Sequence, residues 1–511
     1  MGCKNCDPIT LPVITGPQGP QGIQGIPGND GAPGPPGPAG PTGCIGKTLY
    51  VSACGDDLTA VPYDYVYHYS TIEAAVAAAQ TGDTVMVHAG DYTVTSNLYK
   101  DNVHIHFING ARVFSVNALI PFNVNSAGKC HVTGDGEFYT DPSGVSSTTP
   151  AVLYTPVAGA DVFFECKKVE VANATGSGSA FAIFNGNVTI KVKESVSATF
   201  QCLLIRTGTA LVNFSCPVLI WKGLNEALNT LTACVLIGYD FAGKAVITVD
   251  EMKNTSSGGT NMIAIGSMSG SAIIRCPKVV NNFNGFGTVG LFLINKIGYF
   301  RFEGNIYSSQ IGSLAGGIWS SVQEGTNWNQ YTEIVGNIYV DTNYAIYLNN
   351  GPGIMRYSGN IWGNNDGSQF ITGTWPGPPT NSGSIPVEFL IYIGYQTTLS
   401  NPTIVSQLYL KDCALHQMQK DAIAIYKSQA FLMPGTVETS QYLQLQNVSM
   451  YVEDGDGTYC IDGSTFIANN DVHLIGCVSN SPVSANITQL GQSVISDVTM
   501  EAYYDNVYMD L

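Results

Sequence analysis

From Phe107 onward one short pattern recurs: two alternating apolar residues, a small or turn-forming residue, then another apolar residue. It reads Phe107-Ile108-Asn109-Gly110, Val132-Thr133-Gly134, Phe164-Glu165-Cys166 and Val192-Lys193-Glu194 in the first part. Phe214-Ser215-Cys216, Val249-Asp250-Glu251, Ile274-Arg275-Cys276, Phe302-Glu303-Gly304, Ile334-Val335-Gly336 and Tyr357-Ser358-Gly359 continue it. The marked residues lie 22 to 35 positions apart, about 28 on average. Period-two alternation predicts strands with one buried face, and a repeat of this length suits one coil of three short strands with variable turns. Coils of that kind bury their inward side chains on one another, so like residues stack in ladders. Cys166, Cys216 and Cys276 fit as small apolar members of an inner ladder. Asn337 and Asn360, at equivalent places, are expected to form an asparagine ladder at a bend. Asn tolerates the left-handed conformation there and can bond to its counterpart one coil away.

Ahead of the repeat, Tyr50-Val51-Ser52, Thr84–His88 and Gly90–Val94 read as strands. Ser70-Thr71-Ile72-Glu73 has capping-box spacing and leads into an alanine-rich run to Gln80, which predicts one helix starting near Ser70 and ending at Gly82-Asp83. The stretch Tyr50 to Val94, with its STIEAAVAAA and GDTVMVHAGDYTV strings, resembles the N-terminal part of the pectate-lyase-like right-handed β-helix superfamily over about 45 residues. The resemblance implies a right-handed parallel β-helix with the helix capping its open end, and little about activity. Asn364 to Pro386 breaks the rhythm with loop chemistry, and variant repeats follow at Leu408-Tyr409-Leu410, Leu443-Gln444-Leu445 and Val472-His473-Leu474.

The segment before the coil obeys a different rule. Gly16, Gly19, Gly22, Gly25, Gly28, Gly31, Gly34, Gly37, Gly40, Gly43 and Gly46 keep a strict period of three. Three polyproline-like chains on one axis leave room there only for hydrogen, so the period predicts a collagen-like triple helix. A homotrimer follows, with a stalk roughly 90 Å long at about 3.1 Å per residue. Cys3 and Cys6 before the stalk and Cys44 in its last triplet admit interchain disulfides, a small metal site or plain reduced thiols. The expected organisation is an attachment segment at 1–15, the stalk at 16–46, and a coil start with its capping helix at 47–98. Parallel coils at 99–363, a loop-rich break at 364–386 and a β-rich or β-helical region at 387–511 complete it.

Composition agrees with an all-β body, since only 12% of residues are charged and Gly, Asn, Ser, Thr, Val and Ile dominate the rest. A net charge of −17 argues against nucleic acid or an anionic membrane as partner. No apolar run reaches the roughly 20 residues of a membrane span, and the N-terminus shows no apolar signal core. Of thirteen thinly spread cysteines most sit within apolar strands and read as buried thiols.

The superfamily resembled includes pectate lyases, polygalacturonases and tailspike endoglycosidases, and for a lyase the resemblance implies several Asp or Glu to hold calcium with an Arg or Lys as base. Neither the Gly-His-Gly nor the Arg-Ile-Lys string that the resemblance implies for a polygalacturonase occurs. Of five arginines, Arg275 and Arg356 lie one residue inside the apolar pattern and are expected to project outward from neighbouring faces. Glu453, Asp454, Asp456 and Asp462 form the densest acid cluster, open to a glycosidase pair, to calcium or to a solvated turn. Asp135, Glu137 and Asp141 admit the same three readings. His104 and His106 point to one strand face, and Cys130 falls opposite His106 if Gly110 and Gly134 are in register, which makes a zinc candidate without a fourth ligand. Trp319, Trp328 and Trp375 are candidates for stacking on sugar rings, whereas Trp362 occupies a repeat position suited to the core.

These readings converge on a structural trimeric fibre or spike of a virus particle or cell surface, rooted through its N-terminus on a capsid or baseplate and attaching to a surface glycan or receptor. The alternative is a polysaccharide-degrading lyase or glycoside hydrolase of the tailspike kind. No cofactor is expected apart from the calcium that the acid cluster admits.

Overall fold

The structure is a computed structural model that describes residues 46–116, 119–141, 152–171, 179–199, 201–222, 233–255, 261–281, 290–294, 297–308, 317–321, 331–340, 345–349, 353–363, 391–395, 406–417, 423–427, 441–452, 460–463, 470–479 and 488–495. The chain divides into two units, Met1–Cys44 and Ile45–Leu511. The first unit, with the Gly-X-Y segment up to Gly43, lies outside the described residues.

Among the described residues the second unit is mostly strand, and every strand pairing is parallel. One coil shows the rule. Asn187–Ala198 runs along a first face, bends and continues along a second, and Gln201–Gly208 forms a third. The next coil repeats this as Leu211–Trp221 and Ala233–Phe241, with Ile190 opposite Phe214, Ala198 opposite Trp221 and Leu203 opposite Val235. That is the pairing of a long parallel solenoid, in which neighbouring coils stand about 4.8 Å apart.

Alternation decides which side chains enter the core. Val188, Ile190 and Val192 are buried while Lys191 and Lys193 face out. On the first face Phe164, Ile190, Phe214, Ile247, Ile274, Phe302, Ile334, Tyr357, Leu410, Leu445 and Leu474 stack one above the next in unbroken register. All are fully or almost fully buried, and each contributes about 1.5–3 kcal/mol relative to exposure. Tyr357 is the polar exception, and its hydroxyl donates to the Gly336 and Asn360 carbonyls at 2.7 and 3.1 Å. Third-face strands such as Asn261–Ile265 are buried at every residue, which is why they read as apolar runs.

This ladder crosses the expected break. Tyr357 pairs directly with Leu410, so the ladder runs on without interruption past residues 364–386, which lie outside the described residues. Strands after Pro386 continue the same solenoid. Helix Ile72–Ala78 forms where the alanine run predicts it, with Thr71 rather than Ser70 as N-cap. Thr71 Oγ1 accepts from the Ala74 amide at 3.2 Å and donates to Asp57 at 2.7 Å. Glu73 does not close a capping box; it accepts from the Thr95 amide at 2.6 Å. Lys100 Nζ donates to the Val76, Ala77 and Ala79 carbonyls at the helix C-terminus.

The corner between the first two faces corrects the expected register at three marks. Gly134 lies opposite Phe107 rather than Gly110, Cys166 opposite Val192 rather than Glu194, and Cys216 opposite Val249 rather than Glu251. The bend from Val192 to Ser195 is one residue longer than the bend from Cys166 to Lys168 against which it stacks. Cys276 and Gly304 do pair as the repeat predicts. Cys166, Cys216 and Cys276 are buried thiols, and burial pushes the last two up to about 12.

Candidate functional site

Alternation that sends aliphatic residues inward sends a polar and aromatic set outward from the same first-face strands. In Ile297–Ser308, Tyr331–Val335, Gly353–Ser358 and Ser406–Gln417 the outward column reads Arg301, Glu333, Arg356 and Tyr409, each in register with the next. Gln444 extends it by one coil. Together with Lys411 these residues line an open cavity of about 480 Å³.

Two features define its chemistry. The first is an ordered acid. Glu333 accepts from Arg301 Nη1 at 2.9 Å, the Tyr331 hydroxyl at 2.9 Å and the Tyr299 hydroxyl at 3.0 Å. Burial alone raises its pKa, but hydrogen bonds from Tyr331, Tyr299 and Arg301 outweigh burial and hold the carboxyl below the usual range. Glu303 behaves alike, with burial outweighed by Arg301 at 2.6 Å and Arg275 at 3.0 Å.

The second feature is a stacked cation. Arg356 is exposed, and its guanidinium carbon lies 5.3 Å from the Tyr331 ring centroid and 5.8 Å from that of Tyr409. A guanidinium held over aromatic rings keeps its N–H donors in its own plane, where they match a carboxylate or sulfate. Lys411 adds a second cation, 3.9 Å from Asp412 with both side chains mostly exposed.

Sequence candidates fall elsewhere. His104 and His106 sit on the outward first face two coils in, and both bond Thr133 Oγ1, at 2.7 Å from His104 Nε2 and 2.8 Å from His106 Nδ1. The His104 ring stacks on His131 at 4.3 Å, and burial, then the neighbouring His131 and His106, pull its pKa down to about 4. Cys130 lies opposite Val103, not His106, and faces the core, where burial pushes its thiol up to about 12. It is on the wrong side of the strand for a shared ligand set. Among the described residues no group of three or more His, Cys, Asp or Glu side chains is placed to hold a metal ion.

Asp135 pairs with Lys193 at 2.8 Å and Glu137 with Lys167 at 2.7 Å, so these acids are committed to ion pairs between coils. Arg275 and Arg356 both project outward as expected, but from one face rather than two. Trp362 is buried in a stack with Tyr339 and Tyr307, rings 4.8 Å apart at each step. Trp319 is on strand Ile318–Ser321, opposite Tyr347, and Asp462 is on Ile461–Gly463, opposite Ala424; their side chains lie outside the described residues. Glu453, Asp454, Asp456, Trp328, Trp375, Cys3, Cys6 and Cys44 lie outside them entirely. What sequence reasoning missed is the tyrosine pair around Arg356, which only the register of three coils brings together.

No protein-family model, no curated protein and no solved structure matches the chain. Among the described residues no helix is long and apolar enough to cross a membrane.

Proposed function

We propose that the chain is a trimeric fibre or spike rooted on a particle or cell surface through residues 1–15 and attaching to an acidic surface glycan through the Arg356 cavity. The Gly-X-Y period supports the trimer, and the resemblance at Tyr50–Val94 supports a right-handed winding. An appendage outside the cell or on a virion is the natural setting for a parallel solenoid with few free strand edges. The observation that carries the binding reading is Arg356 set beside Tyr331 and Tyr409 in an open, cation-bearing cavity. Tyrosine rings cover apolar sugar faces, the guanidinium takes a carboxylate or sulfate, and Gln444 supplies amide donors.

Cleavage is the second reading, because Glu303 and Glu333 flank Arg301 in the same region. A glycosidase needs one carboxyl that keeps its proton near neutrality. Both of these are held below the usual range by cationic and hydroxyl donors, which favours binding. Titration of the full chain with a uronic-acid oligosaccharide and its neutral counterpart tests this. The acidic sugar is expected to bind tighter, and Arg356→Ala to weaken it about tenfold with an unchanged melting temperature. Equal affinity for both sugars, or an indifferent Arg356→Ala, sinks the reading; new reducing ends or unsaturated products put cleavage in its place.

A further inference from the structure

Eight large apolar side chains are exposed among the described residues, and five of them, Leu58, Val61, Tyr65, Val66 and Tyr67, sit in one loop of the first coil. Leu58 is 96% exposed, Val66 75% and Tyr65 66%. Leu211, Val335 and Ile475, the other three, are scattered along the solenoid and need no explanation.

The loop is built, not slack. Its ends are joined by the Asp56 amide donating to the His68 carbonyl at 3.0 Å, and Val61 donates to the Tyr67 carbonyl at 3.3 Å. Asp56 and Asp64 side chains accept from the Leu58 and Val66 amides at 3.0 and 2.7 Å. Tyr63 anchors the tip by donating to Asp83 at 2.8 Å, and Tyr65 packs edge-on against Tyr50 with centroids 5.0 Å apart. Polar groups are therefore spent inside the loop while apolar ones point to water, the reverse of an ordinary surface loop.

We infer that this loop is a self-association surface, in which Leu58, Tyr65, Val66 and Tyr67 of one chain pack against the same loops of two further copies. The inference rests on the trimer proposed above. The last glycine of the three-residue period is Gly46, so a triple helix would release three chains together twelve residues before Leu58. Thr48–Val51 within that interval is already a strand of the solenoid, so little free chain separates the point of release from the loop, and so short a connection sets an effective concentration on the order of millimolar. At that concentration a small apolar contact, too weak to hold free chains together, is occupied. Each copy carries an identical loop at an identical tether length, which no other partner is guaranteed to match.

Photo-crosslinking of the full chain tests this, with Tyr65 replaced by p-benzoylphenylalanine and the mass of the unirradiated particle measured by light scattering. We expect a mass of three chains, covalent dimers and trimers on a denaturing gel after irradiation, and adducts that map to residues 56–68 of another chain. The same replacement at Val66 should repeat the result and at Ile475 should give no interchain product. A three-chain particle whose adducts fall within one chain, on residues 1–45 or elsewhere, overturns the inference and leaves the trimer standing. A particle with the mass of one chain overturns the trimer and the inference together.

Discussion

Asparagine and glycine divide the work at the corner between the first two faces. Asn337 was expected to take the left-handed conformation, yet it is the preceding glycines that do so, with φ of +152° at Gly304, +139° at Gly336 and +140° at Gly359. A Cβ on Gly336 would lie 1.9 Å from the Gly304 carbonyl oxygen, and one on Gly359 2.0 Å from that of Gly336. Glycine is thus required twice over, by dihedral and by close approach. The asparagines then link coils by their side chains. Asn305 Oδ1 accepts from the Asn337 amide, Asn337 Oδ1 from the Asn360 amide and Asn360 Oδ1 from the Ala414 amide, each at 2.9 Å. Left-handed asparagine does occur, farther along, where Asn447 at φ +54° stacks on Asp412 at φ +51°. Gly336→Ala is therefore expected to cost about 3 kcal/mol. Asn337→Ala, which strands one half-buried amide, should cost only about 1–2 kcal/mol. Denaturant midpoints of the two variants decide it; a Gly336→Ala chain as stable as Asn337→Ala would falsify the glycine contact.

At the level of strands and corners, the alternation Val188, Ile190, Val192 was legible because each strand faces core on one side and water on the other. Corner length was not. Pattern matching keys on the turn residue, so the extra residue between Val192 and Ser195 moved the expected mark to Glu194, while the core register ignored it. The same limit hid the candidate site, since Tyr331, Arg356 and Tyr409 are up to 78 positions apart and meet only once three corners are counted correctly. The first-face strands also carry a pH dependence. His104, between Thr84, His106, His131 and Thr133, stays neutral in the fold to about pH 4, whereas an unfolded histidine takes its proton near 6.5. His131 is depressed as well, by burial, which a nearby Asp161 only partly offsets. Between the two values the unfolded chain binds more protons, so stability is full above pH 6.5 and falls as pH drops toward 4. Melting temperatures of the full chain at pH 7.5 and 5 should differ in that sense, and His104→Gln should shrink the difference. A difference left intact in His104→Gln assigns it to other groups.

For the whole molecule, two physical regimes are joined in one chain. The solenoid is held by nearest-neighbour coils, and its inner ladder runs in continuous register from Phe164 to Leu474. A Gly-X-Y segment has no core at all and depends on two other chains at every third residue. Its stability should therefore respond to changes that the solenoid does not feel, because Met1–Cys44 is a unit distinct from Ile45–Leu511. In a triple helix Gly31→Asp would place a charged side chain on the axis, where only hydrogen fits. On heating, the full chain is expected to show a low transition from the stalk and a higher one from the solenoid, followed by circular dichroism. The variant should lower or abolish the first and leave the second within about a degree, because residue 31 belongs to Met1–Cys44 and not to the unit that holds the solenoid. Were the low transition absent in the parent chain, or indifferent to Gly31→Asp, the period of three would describe a tether rather than a triple helix. Three-fold assembly would then have to come from the solenoid and the loop around Tyr65.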